Sequence, residues 1–243
     1  MLEYVPAWLG LMLKGRRAGH EKLVAAHPAV RPGADPIALS SPAFAQGGRL
    51  PIRFTADGEG ISPPLLWADV PAGTERLALI VENPDAPSTQ PLVHAIVWNM
   101  PPTERRLVEG AIAPDGDGSE DGDVGRNSFL HEGWLPPDPP TGHGEHDYVF
   151  QLFALAGMSE PGPSPGRSAF VDAISGHVLA VGLLIGTYSR GQSADVGPTG
   201  GGGRSCRAVT ATRSRPIAAI SSFMDVCGAG RILNLATPNE RTW

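Results

Sequence analysis

Cysteine is nearly absent. The chain of 243 residues holds two, Cys206 and Cys227, both near its C-terminal end. No disulfide framework can therefore hold the centre of the molecule, and no thiol there can act as a nucleophile. Long apolar runs are missing as well: no stretch reaches the roughly 20 apolar residues that span a bilayer. The start, "MLEYVPAWLGLMLKGRRAGHEKL", puts an acid first and its basic residues after the apolar part. A secretory leader has the reverse order, so the expected location is cytoplasmic. An excess of positive charge is also lacking. The formal net charge is −6 with a pI near 5.6, and nucleic acid is not an expected partner.

What is present is turn-forming sequence around apolar segments. Glycine (31) and proline (25) together exceed a fifth of the chain, and 41% of residues are hydrophobic, enough for a sizeable core. The length fits one domain with extensions. Residues 4–24 offer a short amphipathic helix. Trp8, Leu9, Met12 and Leu13 share a face, with Lys14, Arg16 and Arg17 following. It reads either as a helix packed on its own domain or frayed, or as an arm for a partner or a membrane surface; membrane contact stays open. "HPAVRPGADP" (27–36) reads as a linker, so residues 1–36 form an arm and linker.

From Ile37 the texture is that of short strands. "RLPIRFTADGEG" suggests a strand ending in an Asp-Gly turn. "RLALIVE" (76–82), "LVHAIVWNM" (92–100) and "DYVFQLFAL" (147–155) are apolar runs suited to covered strands. Helical pattern comes late, over 168–184, where Phe170, Val171 and Ile174 share a face and Gly176 can end a first set of turns. Short strands with Gly/Pro turns predict a mainly β sandwich with few short helices over 37–190. Beyond Arg190 the Gly-, Ser-, Thr- and Arg-rich sequence lacks apolar periodicity, and 191–243 is expected to be a disordered tail.

Two stretches carry chemistry. In "NPDAPSTQPLVHAIVWNMP" an acid, Asp85, stands between prolines ahead of a strand bearing His94. Alternation would place His94 with Ile96 and Trp98 on one face. In "PPDPPTGHGEHDYVFQLFAL" a Pro/Gly loop runs into a strand where His146, Tyr148 and Phe150 alternate onto one face. Two histidines at strand beginnings beside rigid loops can converge on one rim, with Asp85 beside them and Tyr148 deeper. Asp85 is suited to accept from a histidine and fix its tautomer.

These segments resemble the phosphatidylethanolamine-binding proteins, and in particular their bacterial, Raf-kinase-inhibitor-like branch. "FTADGEGISPPLLWADVP" and "GHVLAVGLLIGTYSR" flank the two motifs in the family order, and the resemblance runs from about Ile37 to Arg190. It implies a Greek-key sandwich of two antiparallel sheets and a small pocket for phosphate-type groups. Matched residue by residue, that pocket lies on Asp85, His94, His146 and Tyr148, with Pro137 and Gly144 in the wall. It further implies non-catalytic binding of a phosphorylated or anionic small ligand without a cofactor, and a regulatory role toward a partner protein. Three departures stand out. Asn83 replaces the first motif's leading acid, Asp147 replaces an arginine, and Pro136 replaces a glycine.

Rival readings are weaker on the residues. Asp85, His94 and His146 could serve a hydrolase relay, but no Gly-x-Ser-x-Gly elbow supplies a nucleophile. A protein-docking inhibitor of a kinase or protease would use the same surface. His143 and His146 follow no zinc-enzyme spacing, and no metal is expected. "DGDGSEDGD" (115–123) suggests a calcium loop but has Glu120 where the turn glycine belongs and Arg126 where the bidentate acid belongs. "GGGGR" (200–204) lacks the Lys-Ser/Thr of a phosphate loop.

Overall fold

The computed structural model describes residues 12–13, 15–30, 36–114 and 123–190. The expected tail, both cysteines, most of the acidic loop and the first eleven residues lie outside them. Among the described residues, nine strands form two sheets. The smaller has the order β1 (Ala38–Ser40), β3 (Leu65–Ala68), β6 (Arg106–Leu107). The larger has the order β2 (Gly48–Arg49), β9 (Val178–Tyr188), β8 (His146–Leu155), β4 (Arg76–Asn83), β5 (Leu92–Met100), β7 (Asp123–Val124). Strands β4 and β5 are sequential neighbours, and β8 returns by a long connection to lie on the other side of β4, the Greek-key arrangement. Pairing is antiparallel except for β2 on β9, where Gly48 and Arg49 run parallel to Gly186 and Thr187.

The central strands are apolar on both faces because both faces are covered. Leu77, Leu79 and Val81 of β4 join Phe150 and Leu152 of β8 in the core under the small sheet. Ala78 and Ile80 join Phe153 on the opposite face, against Phe170, Val171 and Ile174 of the helix α1 (Arg167–Ile174). The helical pattern expected over 168–184 thus ends early. Gly176 takes φ +79°, and the chain continues as β9 rather than as more helix. An apolar run does not itself distinguish a buried helix from a doubly covered strand. The strand expected in "RLPIRFTADGEG" is likewise cut short: after Arg49 the chain turns into one 3₁₀ turn, Ile52–Phe54.

The described part of the expected arm and linker packs on the domain. Val24 is fully buried and Val30 is 4% exposed, both against the α1 face of the large sheet. Short 3₁₀ turns at His20–Lys22 and Val24–Ala26 replace the α-helix expected to reach residue 24. Polar bonds add to this burial: Val24 N–H donates to Glu82 Oε2 (2.9 Å) and Ala25 N–H to Gln151 Oε1 (2.7 Å). No hydrophobic period announces such bonds.

Glycines in β9 let the small sheet approach. A Cβ on Gly182 would meet the Ile37 carbonyl oxygen at 2.8 Å. Backbone cannot yield as a side-chain tip can, so Gly182→Ala is expected to cost about 1–3 kcal/mol of stability, read as a lower urea midpoint. An unchanged midpoint would mean the sheets separate freely there.

Candidate functional site

A β-bulge decides where His94 points. The β4–β5 register passes from Val81 opposite Ala95 to Glu82 opposite Val93, so His94 is the extra residue. Two successive residues then face the same side. His94 does not share a face with Ile96 and Trp98, as simple alternation predicts. Those two belong to the α1-side core, while the His94 ring lies edge-on to Tyr148 at 5.0 Å and 6.1 Å from Trp134. The bulge thus brings His94 onto the face where His146 and Tyr148 were expected together.

At its deepest point the site offers two polar atoms without partners. His94 Nδ1–H donates to the Leu135 carbonyl (2.6 Å), which leaves a lone pair on Nε2. That Nε2 and the Tyr148 hydroxyl are both buried and both lack a hydrogen-bond partner. Burial pushes the His94 pKa down to about 4, against a smaller upward pull from its bond to Leu135. Burial, and then the Asp138 carboxylate, push the Tyr148 phenol well up. Both rings are neutral at pH 7.

His146 sits in a directed row of hydrogen bonds. Asn83 Oδ1 accepts Asp85 N–H (2.9 Å), so the Asn83 amide turns its NH₂ toward His146 Nδ1 (3.0 Å). His146 must then carry its proton on Nε2, which lies 2.6 Å from His143 Nδ1. His143 in turn donates from Nε2 to the Leu13 carbonyl (2.9 Å). Burial, then the neighbouring His143, push the His146 pKa down to about 3, with Asp85 pulling partly upward. His143 is fully buried. Positive φ at Gly142 (+85°) and Gly144 (+112°) folds the loop back so that its ring returns to His146. The alternation of glycines around His143 was the available signal.

Asp85 plays a different part from the one expected. Its carboxylate touches no histidine. Oδ2 accepts Asp147 N–H (2.7 Å), and Oδ1 is ion-paired with Arg17, whose other nitrogen donates to the Glu145 carbonyl (3.2 Å). The two histidine tautomers are set instead by Leu135 and Asn83. Arg17 was not singled out from the sequence, where nothing distinguishes it from Arg16. A Cβ on Gly144 would lie 3.8 Å from Arg17 Nη2. Pro137 is buried, and its carbonyl accepts Ala56 N–H (3.0 Å). The departures have contacts of their own. Asp147 faces His20 (3.4 Å), and burial with the nearby Asp85 pushes its pKa up. Pro136 packs over Gly60.

His20, Asp85 and Asp147 offer ligand atoms within 4.8 Å of one another, a spacing that can hold a cation. In the structure Arg17 supplies the positive charge there. The four residues of the expected pocket are buried: Asp85 is 4% exposed, His94 and His146 1%, and Tyr148 0%. A groove of about 540 Å³ lies across the 134–136 loop, lined by Ser62, Ile112, His131, Trp134 and Pro136, and contains none of those four. A smaller one of about 180 Å³, beside Val93, Asn127 and Arg167, does not contain them either. Among the described residues no helix is long and apolar enough to cross a membrane.

Comparison with known proteins agrees with this architecture. A protein of Methanothermobacter thermautotrophicus known as a UPF0098 protein is 42% identical over 154 residues, covering 63% of this chain and 99% of that one. A UPF0098 protein of Chlamydia pneumoniae is 38% identical over 158 residues, 63% of this chain and 98% of that one. The relatives are thus archaeal as well as bacterial. The crystal structure of a phosphatidylethanolamine-binding protein homologue from Chlamydia trachomatis superposes with a TM-score of 0.57 at 33% identity, covering 65% of this chain and 99% of that one. Escherichia coli YbcL, described as a member of the mammalian family, gives 0.58 at 27% identity, over 64% and 99%. The sequence model of the family, "Phosphatidylethanolamine-binding protein", matches residues 40–189. With its two-sheet sandwich and both motif histidines on one face, the chain belongs to the phosphatidylethanolamine-binding protein family.

Proposed function

We propose that this protein binds a small phosphorylated ligand, of the phosphate or phosphoethanolamine type, without chemically altering it. The observation that carries this reading is the pair of unpartnered buried atoms, His94 Nε2 and the Tyr148 hydroxyl. Leaving a buried polar group unsatisfied costs about 1–3 kcal/mol, so a ligand or a water that satisfies both recovers a large part of it. A monoprotonated phosphoryl group has the matching chemistry. Its P–OH donates to the bare His94 nitrogen, and another oxygen accepts from Tyr148. The Asp85 carboxylate suits the ammonium of a phosphoethanolamine. Binding without catalysis fits the same geometry. Asp85 is held by Arg17 and a backbone N–H rather than by a histidine, so it does not pair with His94 or His146 to activate a nucleophile.

Calorimetric titration of the full chain with phosphoethanolamine and with inorganic phosphate tests this. Saturable binding of either is expected. Tyr148→Phe separates ligand role from packing: it removes an unsatisfied hydroxyl, so the ligand-free protein should be as stable or about 1 kcal/mol more stable, while affinity falls about tenfold. Undiminished affinity in that variant would remove the hydroxyl from the site.

A further inference from the structure

A segment of the chain itself lies on the Asp85 and His143 side of the site. Ala18 N–H donates to the Ala86 carbonyl (3.0 Å) and Gly19 N–H to that of Pro84 (2.9 Å), the two residues flanking Asp85. Arg17 lies between Asp85 and Glu145, and the His143 ring is capped by the carbonyl of Leu13. Arg17 is ion-paired with Asp85, and His20 Nε2 lies 3.4 Å from the Asp147 carboxylate. Two of the sequence departures take part. Asn83 orients the histidine row so that it ends in a donor aimed at Leu13, and Asp147 presents an acid where an arginine would repel Arg17. This segment also lies outside the 40–189 family match.

Its attachment to the domain is separate from its contacts on the site. Val24 and Ala25 hold Glu82 and Gln151 on the opposite face of the sheet, and Val24 is fully buried. Between the two parts stands Gly19 at φ +103°, a conformation L-residues rarely adopt. The segment can therefore leave the site by turning at Gly19 while its anchor stays in the core.

We propose that Gly15–Gly19 is a built-in occupant of the ligand site, an autoinhibitory strap that must swing away before a phosphorylated ligand reaches His94 and Tyr148. Arg17 holds the place of the ligand's cation on Asp85. The idea rests on the reading of the site as a ligand site, and the test keeps the two apart.

Two variants of the full chain release the strap by different means. Arg17→Ala removes the ion pair. Gly19→Ala leaves every charge in place but strains the path, since its Cβ would also meet the Glu21 carboxylate at 2.2 Å. Phosphoethanolamine should bind both variants about tenfold more tightly than the parent, the equivalent of about 1.4 kcal/mol of strap docking. Hydrogen exchange reads the strap itself. The Ala18 and Gly19 amides should exchange slowly in the parent, faster in both variants, and faster in the parent once phosphoethanolamine saturates it. Equal or weaker binding in both variants, or no ligand-induced acceleration, overturns the strap while leaving the ligand site standing. Rapid exchange of both amides in the ligand-free parent overturns it whatever the probe does. If neither parent nor variants bind phosphoethanolamine or phosphate, the phosphoryl reading of the site fails, and with it the competition proposed here; slow exchange would then show a structural brace only.

Discussion

Lowering the pH from about 7.5 to about 4.5 should remove roughly 4–5 kcal/mol of folding stability, through His94 and His146 alone. The folded pKa values, about 4 and about 3, lie below the 6.5 of an unconstrained histidine. Above pH 6.5 both states hold neutral rings and these residues make no pH-dependent contribution. Below it the unfolded chain takes up protons that the folded protein refuses, so stability is lost as the pH falls from 6.5 toward 4 and 3. The structural reason is specific. A proton on His94 Nε2 places a charge on a buried atom that has no hydrogen-bond partner. A proton on His146 Nδ1 confronts the NH₂ of Asn83, donor against donor. Asp147, whose carboxyl is pushed up, takes a proton more readily when folded and offsets part of the loss at the acid end. Urea unfolding at the two pH values measures the difference, and His94→Gln should remove about half of it. A midpoint that does not move would mean the histidines are solvated.

The second large effect is Arg167→Ala, expected to cost about 3–5 kcal/mol. Glu82 is fully buried in the large sheet, and its carboxylate is met by Arg167 Nε (2.6 Å), Gln151 Nε2 (2.8 Å) and Val24 N–H (2.9 Å). Removing the arginine leaves a buried anion with only neutral donors. The loss should be cut back in the double variant Arg167→Ala, Glu82→Gln, which has no charge to strand. If the single variant melts within a degree or two of the parent, Glu82 is not charged in the fold. The same network ties residues 22–25 to the sheet, since Arg167 also donates to the Lys22 carbonyl. A side effect of Arg167→Ala is therefore faster exchange at Val24 and Ala25.

The long β4, β5 and β8 were legible because double burial writes itself as an unbroken apolar run. The membership of Asp85, His94, His146 and Tyr148 in one cluster was legible through two motifs in order. The reasoning about faces was less secure. His94 reached the cluster through a bulge, and alternation counted from Ile96 pointed it into the other core. A bulge depends on the register of two strands, which neither strand alone specifies. His143 and Arg17 were missed for related reasons. The first sits on a loop whose fold-back is set by glycine dihedrals, and the second comes from a segment whose bonds to Glu82 and Gln151 follow no apolar stripe. The continuation of helix past Gly176 failed because "VLAVGLLIGTY" fits either state until the partners on both sides, Gly48–Arg49 and β8, are known.

The row from Asn83 through His146 and His143 to Leu13 has one further property. Its first member can only donate, because the Asn83 oxygen is occupied by Asp85 N–H, and its last can only accept, because it is a backbone carbonyl. Neither end titrates. Every proton between them is thereby assigned, and none can hop without setting two donors face to face. Adjacent histidines elsewhere make proton wires; these two form an insulator. They hold the loop and the N-terminal segment together at a fixed polarity and have no spare proton to hand to a bound molecule.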